Sequence, residues 1–131
     1  AKVRIITQYH PKTPRVRMSN LFQVFCNLIK NAIAAMPEGG ELKITTCISE
    51  DNAIVAQFRD TGTGFPPEYA HLLFEPFFTT KEKGKGTGLG LAICKDIVER
   101  YEGRITAENA AGGGSIFTVW LPIKPESGYI D

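Results

Sequence analysis

The sequence predicts an α+β chain: a two-layer α/β sandwich, with helices packed on one face of a mixed, mostly antiparallel sheet. Three observations carry this. The apolar patterns run strands, helix, strands, helix, strands, an order that suits helices gathered on one side of a sheet. Residues 41–48 and 53–60 alternate with period two around the turn-like "ISEDN", as the arms of a hairpin do. Two other segments, starting near residues 19 and 89, repeat their apolar residues every three or four positions, as helices with one buried face do.

Element by element, Val3 to Gln8 reads as a strand, "HPKTP" at 10–14 as a turn, and residues 16–18 as a candidate short strand. The first helix is expected to start near Ser19 or Asn20, because Asn20 and Gln23 have capping-box spacing. Leu21, Val24, Phe25, Leu28, Ala32 and Ala35 form its apolar stripe, while Gln23, Asn27, Asn31 and Ala34 share another face. "PEGG" at 37–40 ends it. Leu42, Ile44 and Ile48 share one face of the next strand, and Ile54, Ala56 and Phe58 one face of its partner. Residues 61–86 are irregular, with a candidate short helix at 67–73; loops this long in compact domains are usually functional. A second helix covers residues 89–102, closed by Gly103. Strands 104–108 and 115–121, joined by "NAAGGG", complete the sheet. The domain is expected to span residues 1–123, with 124–131 as a flexible tail.

Composition narrows the function classes. The 131 residues suffice for one core, and a net charge of +1 gives no electrostatic case for nucleic acid or an anionic membrane. Cys26, Cys47 and Cys94 lie far apart without CxxC spacing, so free thiols in a reducing compartment are expected. No apolar run approaches the ~20 residues of a membrane span, and no signal peptide is expected from the pattern of the given residues. The chain begins at Ala1 rather than Met, as a piece of a longer protein would.

Four places could carry chemistry, each with a plainer alternative. Asn27 and Asn31, four apart, stack on one helix face; they could offer amide oxygens to a hard cation such as Mg²⁺, or simply form a solvated polar face. Asp60 continues the parity of Ile54, Ala56 and Phe58, so its carboxylate points toward the core and needs donors. It could accept from an amino group on a flat ring in the space left by Gly62 and Gly64, or cap its own turn. The run "GKGTGLG" at 84–90, preceded by Lys81, Lys83 and Lys85, could bind a polyphosphate at a helix N-terminus or serve as a flexible linker. It has neither GK[ST] nor GxGxxG spacing, so it is no P-loop or dinucleotide fingerprint. Ser115 shares the parity of Phe117, Val119 and Leu121, although Ile116 and Trp120 make the opposite face apolar too.

Together these segments resemble the ATP-binding catalytic domain of sensor histidine kinases, which shares the Bergerat-type ATP-binding fold with DNA gyrase, heat-shock chaperone and mismatch-repair ATPases. "NLIKNAIAAM" resembles the N box, "DTGTG" the first glycine box, "LFEPFFTTK" the phenylalanine box, "GTGLGLA" the second glycine box, and "GGGSIFTVWLP" the closing strand. Five motifs in the family's order cover most of the chain. The resemblance implies that Asn31 ligates Mg²⁺, with Asn27 beside the metal and γ-phosphate. It implies that Asp60 accepts from the adenine amino group, that Gly62, Gly64 and Phe65 shape the adenine pocket, and that Ser115 lies near a water there. Gly86, Thr87, Gly88, Leu89 and Gly90 would hold the phosphates, with Lys81 clamping them. Residues 61–85 would form the ATP lid, hinged at Phe77 and Phe78.

Departures and absences sharpen the implied activity. Hydrolytic members of the superfamily carry a Glu where this chain has Asn27, and an amide cannot accept a proton from water. Transfer to an imidazole needs no such base. Sigma-factor-inhibiting serine kinases usually keep an acid there as well. Ala34 stands where many histidine kinases have Lys or Arg, which moves the expected phosphate clamp toward Lys81. Arg17 lies near a position that is often acidic. Neither His10 nor His71 sits in the H-[DE]-x-x-[NH]-P setting of a phosphoacceptor. The resemblance therefore implies a cytoplasmic, monomeric fragment of a two-component phosphorelay kinase, its parent membrane-anchored or not. It would bind Mg-ATP and pass the γ-phosphoryl group to a histidine on a separate dimerisation domain, with a response regulator downstream. The alternatives are an ATPase of the same superfamily and a degenerate, nucleotide-free docking domain.

Overall fold

The computed structural model describes residues 2–9, 18–78 and 89–123. In chain order these form β1 (Val3–Gln8), α1 (Met18–Ala34), β2 (Gly40–Ile48), β3 (Ala53–Asp60), a 3₁₀ helix (Pro67–Leu72), α2 (Gly90–Arg100), β4 (Arg104–Asn109) and β5 (Ser115–Pro122). The strands make one sheet in the order β1-β2-β3-β5-β4, with β1 parallel to β2 and every other pair antiparallel. The helices pack on one face of this mixed, mostly antiparallel sheet, as the sequence predicts.

Strand parity builds that face. Along β3, Ile54, Ala56, Phe58 and Asp60 are buried, and the residues between them are not. Across the sheet Phe58 pairs with Ile44 on one side and Phe117 on the other, while Val119 pairs with Ala56 and Ile105. Leu21, Val24, Leu28 and Ala32 of α1 and Cys94, Ile97 and Val98 of α2 close over this layer. Fully burying each larger aliphatic or aromatic side chain stabilises the fold by about 1.5–3 kcal/mol. The opposite face is apolar at Ile116 and Trp120, and both are half-buried; the Arg104 guanidinium covers the Trp120 ring, 4.3 Å from its centroid.

The ends of elements differ from the sequence reading in instructive ways. Met18, placed in a candidate strand, begins α1 instead, and its neighbours Val16 and Arg17 lie outside the described residues. Asn20 is the third residue of α1, inside the helix rather than its cap. The segment at 67–72 is a 3₁₀ helix, and Leu89 is the N-cap of α2 rather than its first turn. Gly103 closes α2 differently from a left-handed glycine cap. Glu102 takes the left-handed conformation (φ 61°), its N–H bonding Glu99 O while the Gly103 N–H bonds Val98 O. Gly103 is needed for space, since a Cβ there would strike the Trp120 carbonyl. The turn at 10–14 and the tail at 124–131 lie outside the described residues. Among the described residues no helix is long and apolar enough to cross a membrane.

The thiols occupy three different environments. Cys47 is exposed, Cys26 half-buried, and Cys94 fully buried between the helices, where loss of hydration pushes its pKa up to about 11 from 9.0. We expect iodoacetamide to label Cys47 rapidly in the native chain and Cys94 only after unfolding, read by mass spectrometry; equal labelling would refute this burial. A folded-state pKa raised above the unfolded one stabilises the fold below pH 9, and this contribution is lost as pH rises through about 11. Urea midpoints should therefore fall over that window, and fall less steeply in Cys94→Ala.

Candidate functional site

Asp60 ends β3 with 2% of its surface exposed. A carboxylate so enclosed requires donors, and the backbone supplies two. The N–H groups of Gly62 and Ser115 both donate to Oδ1, at 2.9 and 3.1 Å. Oδ2 makes no hydrogen bond among the described residues, yet it is not sealed from solvent. The turn-cap alternative is seen in the structure: Oδ1 caps the turn through Gly62. Ser115, whose orientation parity left open, is buried and supplies a donor through its backbone.

Close backbone approaches hold the loop after Asp60 in place. A Cβ on Gly62 would strike the Ala35 carbonyl, and the next residue, Thr63, donates its N–H to that same oxygen at 3.2 Å. The loop is thereby pinned to the C-terminal end of α1. Gly114 lies on the other side (φ +88°), where a Cβ would strike the Asp60 carbonyl. Glu41 and Thr61 exchange two bonds that anchor the loop to β2: Thr61 N–H to Glu41 O at 3.1 Å, and Glu41 N–H to Thr61 Oγ1 at 3.0 Å.

Asn27 and Asn31 are both half-buried, whereas Gln23 and Ala34, expected on the same face, are exposed. The solvated-face reading fails for Asn27: its Nδ2 donates to Gly90 O at 3.3 Å and its amide lies beside the Cys94 thiol, joining α1 to the first turn of α2. The Asn31 side chain makes no hydrogen bond among the described residues. Leu89 and Gly90 start α2, whose first turn has no side-chain cap. Lys81, Lys83, Lys85, Gly86, Thr87 and Gly88 lie outside the described residues, as does His10.

Past the loop, Phe74 meets Phe117 edge-on at 6.3 Å, and Phe78 meets Tyr69 at 5.4 Å. Phe77, expected to anchor a hinge with Phe78, is instead 74% exposed with a left-handed backbone (φ 67°). His71 is exposed on the 3₁₀ helix. A cavity of about 240 Å³ lies between α1 and the sheet, lined by Tyr9, Phe25, Ile29, Ile44, Thr46, Ala56 and Phe58; no candidate site residue lines it. Among the described residues no cluster of three or more His, Cys, Asp or Glu side chains could hold a metal ion.

Sequence reasoning missed two residues at this site. Gly114 was hidden in "NAAGGG", which reads as a mere hairpin turn. Asn109 looked like the start of that turn, but it ends β4 and bonds Phe65 at both backbone groups, Nδ2 to O at 2.7 Å and N–H to Oδ1 at 3.0 Å. Its pairing with Ser115 was the available signal.

Residues 17–125 match the family described as histidine kinase-, DNA gyrase B- and HSP90-like ATPase. Sporulation kinase C of Bacillus subtilis (strain 168) is 45% identical over 109 residues, 83% of this chain and 25% of that protein. The chain spans a quarter or less of the length of the curated relatives it matches. Among solved structures, the mycobacterial sensor histidine kinase MprB superposes with a TM-score of 0.82 at 28% identity, covering 92% of this chain and 83% of that one. Full-length ShkA in complex with AMPPNP gives a TM-score of 0.80 at 25% identity, over 92% of this chain and 25% of that one.

The two hairpin glycines Gly113 and Gly114 separate backbone strain from collision. Both have left-handed φ, but only at Gly114 does an added Cβ meet the Asp60 backbone; at Gly113 it meets open space. Gly113→Ala should cost about 1–2 kcal/mol in urea unfolding, and Gly114→Ala a further 1–3 kcal/mol or so. Equal losses would contradict the close approach.

Proposed function

The chain belongs to the histidine kinase-, DNA gyrase B- and HSP90-like ATPase family as an ATP-binding catalytic domain of the histidine kinase type, and on that premise we propose that it binds Mg-ATP and passes the γ-phosphoryl group to a histidine carried by a separate dimerisation domain. The observation that carries this reading is the Asp60 carboxylate: Oδ1 is fixed by two backbone donors, while Oδ2 makes no hydrogen bond among the described residues and is not sealed from solvent. An exocyclic adenine amino group is a donor of the right kind. A full-length relative of the same fold is described with AMPPNP, an adenine nucleotide.

In this reading the domain occupies residues 1–123. Gly62, Gly64 and Phe65 wall the base, and Ser115 lies beside it. Asn31, half-buried and without a side-chain hydrogen bond among the described residues, offers an amide oxygen; Mg²⁺ characteristically takes few protein ligands and completes its shell with water and phosphate oxygens. Bound there, the ion would offset charge on the phosphates. Gly86, Thr87, Gly88, Leu89 and Gly90 lead into the α2 N-terminus, a place where backbone amides suit phosphate oxygens, and Lys81 adds a cation. Asn27 locks α1 to α2 beside the transferring group. As an amide it is no base for water, so it favours an acceptor that brings its own lone pair. Catalysis is then positioning and charge stabilisation. A response regulator would receive the phosphoryl group from that histidine, and the chain alone would be monomeric.

Calorimetry with Mg-ATP and Mg-ADP tests the base contact. Asp60→Asn should weaken both by roughly tenfold or more, since hydrogen bonds to charged groups contribute about 1.5–3 kcal/mol; unchanged heats would remove Asp60 from the site. Given a cognate histidine-bearing domain and radiolabelled ATP, the chain should label that histidine in trans while turning over little ATP alone. Steady hydrolysis without the acceptor would favour an ATPase instead.

A further inference from the structure

The loop leaving Asp60 is placed by a side chain from the far edge of the sheet. Asn109, the last residue of β4, pairs with Ser115, the first of β5, and the Ser115 N–H holds Asp60 Oδ1. Facing the loop, the Asn109 amide grips Phe65 twice: Nδ2 donates to the Phe65 carbonyl at 2.7 Å, and Oδ1 accepts from the Phe65 N–H at 3.0 Å. One donor and one acceptor thus meet their complements, as a neighbouring strand's peptide would. The fit is close, for a Cβ on Gly64 would lie 2.6 Å from Asn109 Oδ1. No other hydrogen bond among the described residues joins residues 64–66 to the sheet. Asn109 is exposed, so its contribution is this grip rather than core packing.

We infer that Asn109 is a positioning residue for base recognition, an inference that rests on reading Asp60 as the base acceptor. The same strand ends hold the carboxylate through Ser115 and the loop through Asn109. Asn109 therefore sets the gap between the open Asp60 oxygen and residues 62–65, where a planar base would lie. It has no part in holding phosphates, so its loss should be felt by ligands that carry a base and not by those that lack one.

Calorimetry on the 131-residue chain can separate these effects. The ligands are Mg-ATP and Mg-tripolyphosphate, the latter having phosphates but no base. The variants are Asn109→Ala and Asn109→Asp, the second keeping the shape and the acceptor while losing the donor. Each should weaken Mg-ATP binding by about tenfold, as expected for one or two lost hydrogen bonds, and leave tripolyphosphate affinity unchanged. Amide exchange at Phe65 should rise in Asn109→Ala, which removes the acceptor of its N–H, and less in Asn109→Asp, which keeps that acceptor. Mg-ATP affinity equal to wild type in both variants would overturn the inference, and so would parallel weakening of the two ligands, which signals general loosening. A wild-type chain that binds ATP no better than tripolyphosphate would instead overturn the reading of Asp60.

Discussion

The arrangement depends on a buried carboxylate whose two backbone donors both fall on one oxygen. Isolated burial of a charge is costly, and Asp60 avoids that cost by taking two backbone N–H groups on a single oxygen. Both donors lie downstream in the chain but at very different separations, Gly62 just after the carboxylate and Ser115 55 positions away. The carboxylate therefore ties the end of β3 to the start of β5. The loop and the hairpin must both come close enough for their amides to reach it.

That closeness explains the local glycines. Gly62 presses against the end of α1 and Gly114 against the Asp60 backbone, and a side chain at either would push the donors away. The same logic extends to Asn109 and Phe65. An amide side chain there does what a strand neighbour would do, at a point where the chain has left the sheet. The site is thus a set of backbone groups held at fixed distances, and few of its contacts could be replaced by generic polarity.

The helical layer contributes differently. The apolar stripe of α1 holds the helix to the sheet, and the next face carries the two asparagines, of which Asn27 reaches α2. Asn27 joins the two helices with one hydrogen bond to Gly90, while Asn31 makes no side-chain hydrogen bond among the described residues. One amide joins the two helices, and its neighbour one turn later is the residue proposed to take a ligand.

Periodicity alone determined the two-layer fold, the inward direction of Asp60 and the shared face of Asn27 and Asn31, because strand and helix repeats are local and are read directly along the chain. The motif resemblance added the roles. Tertiary structure decided which Asp60 oxygen takes the two backbone donors, that Ser115 acts through its N–H, that Asn109 reaches Phe65, and that Glu102 rather than Gly103 turns left-handed at the end of α2. It also decided that Phe78 packs while Phe77 is exposed. Each of these joins residues distant in sequence or chooses between neighbours with the same local preference. Hydrogen bonds and close approaches between separate elements exist only once the sheet register is set, and no repeat along the chain encodes them.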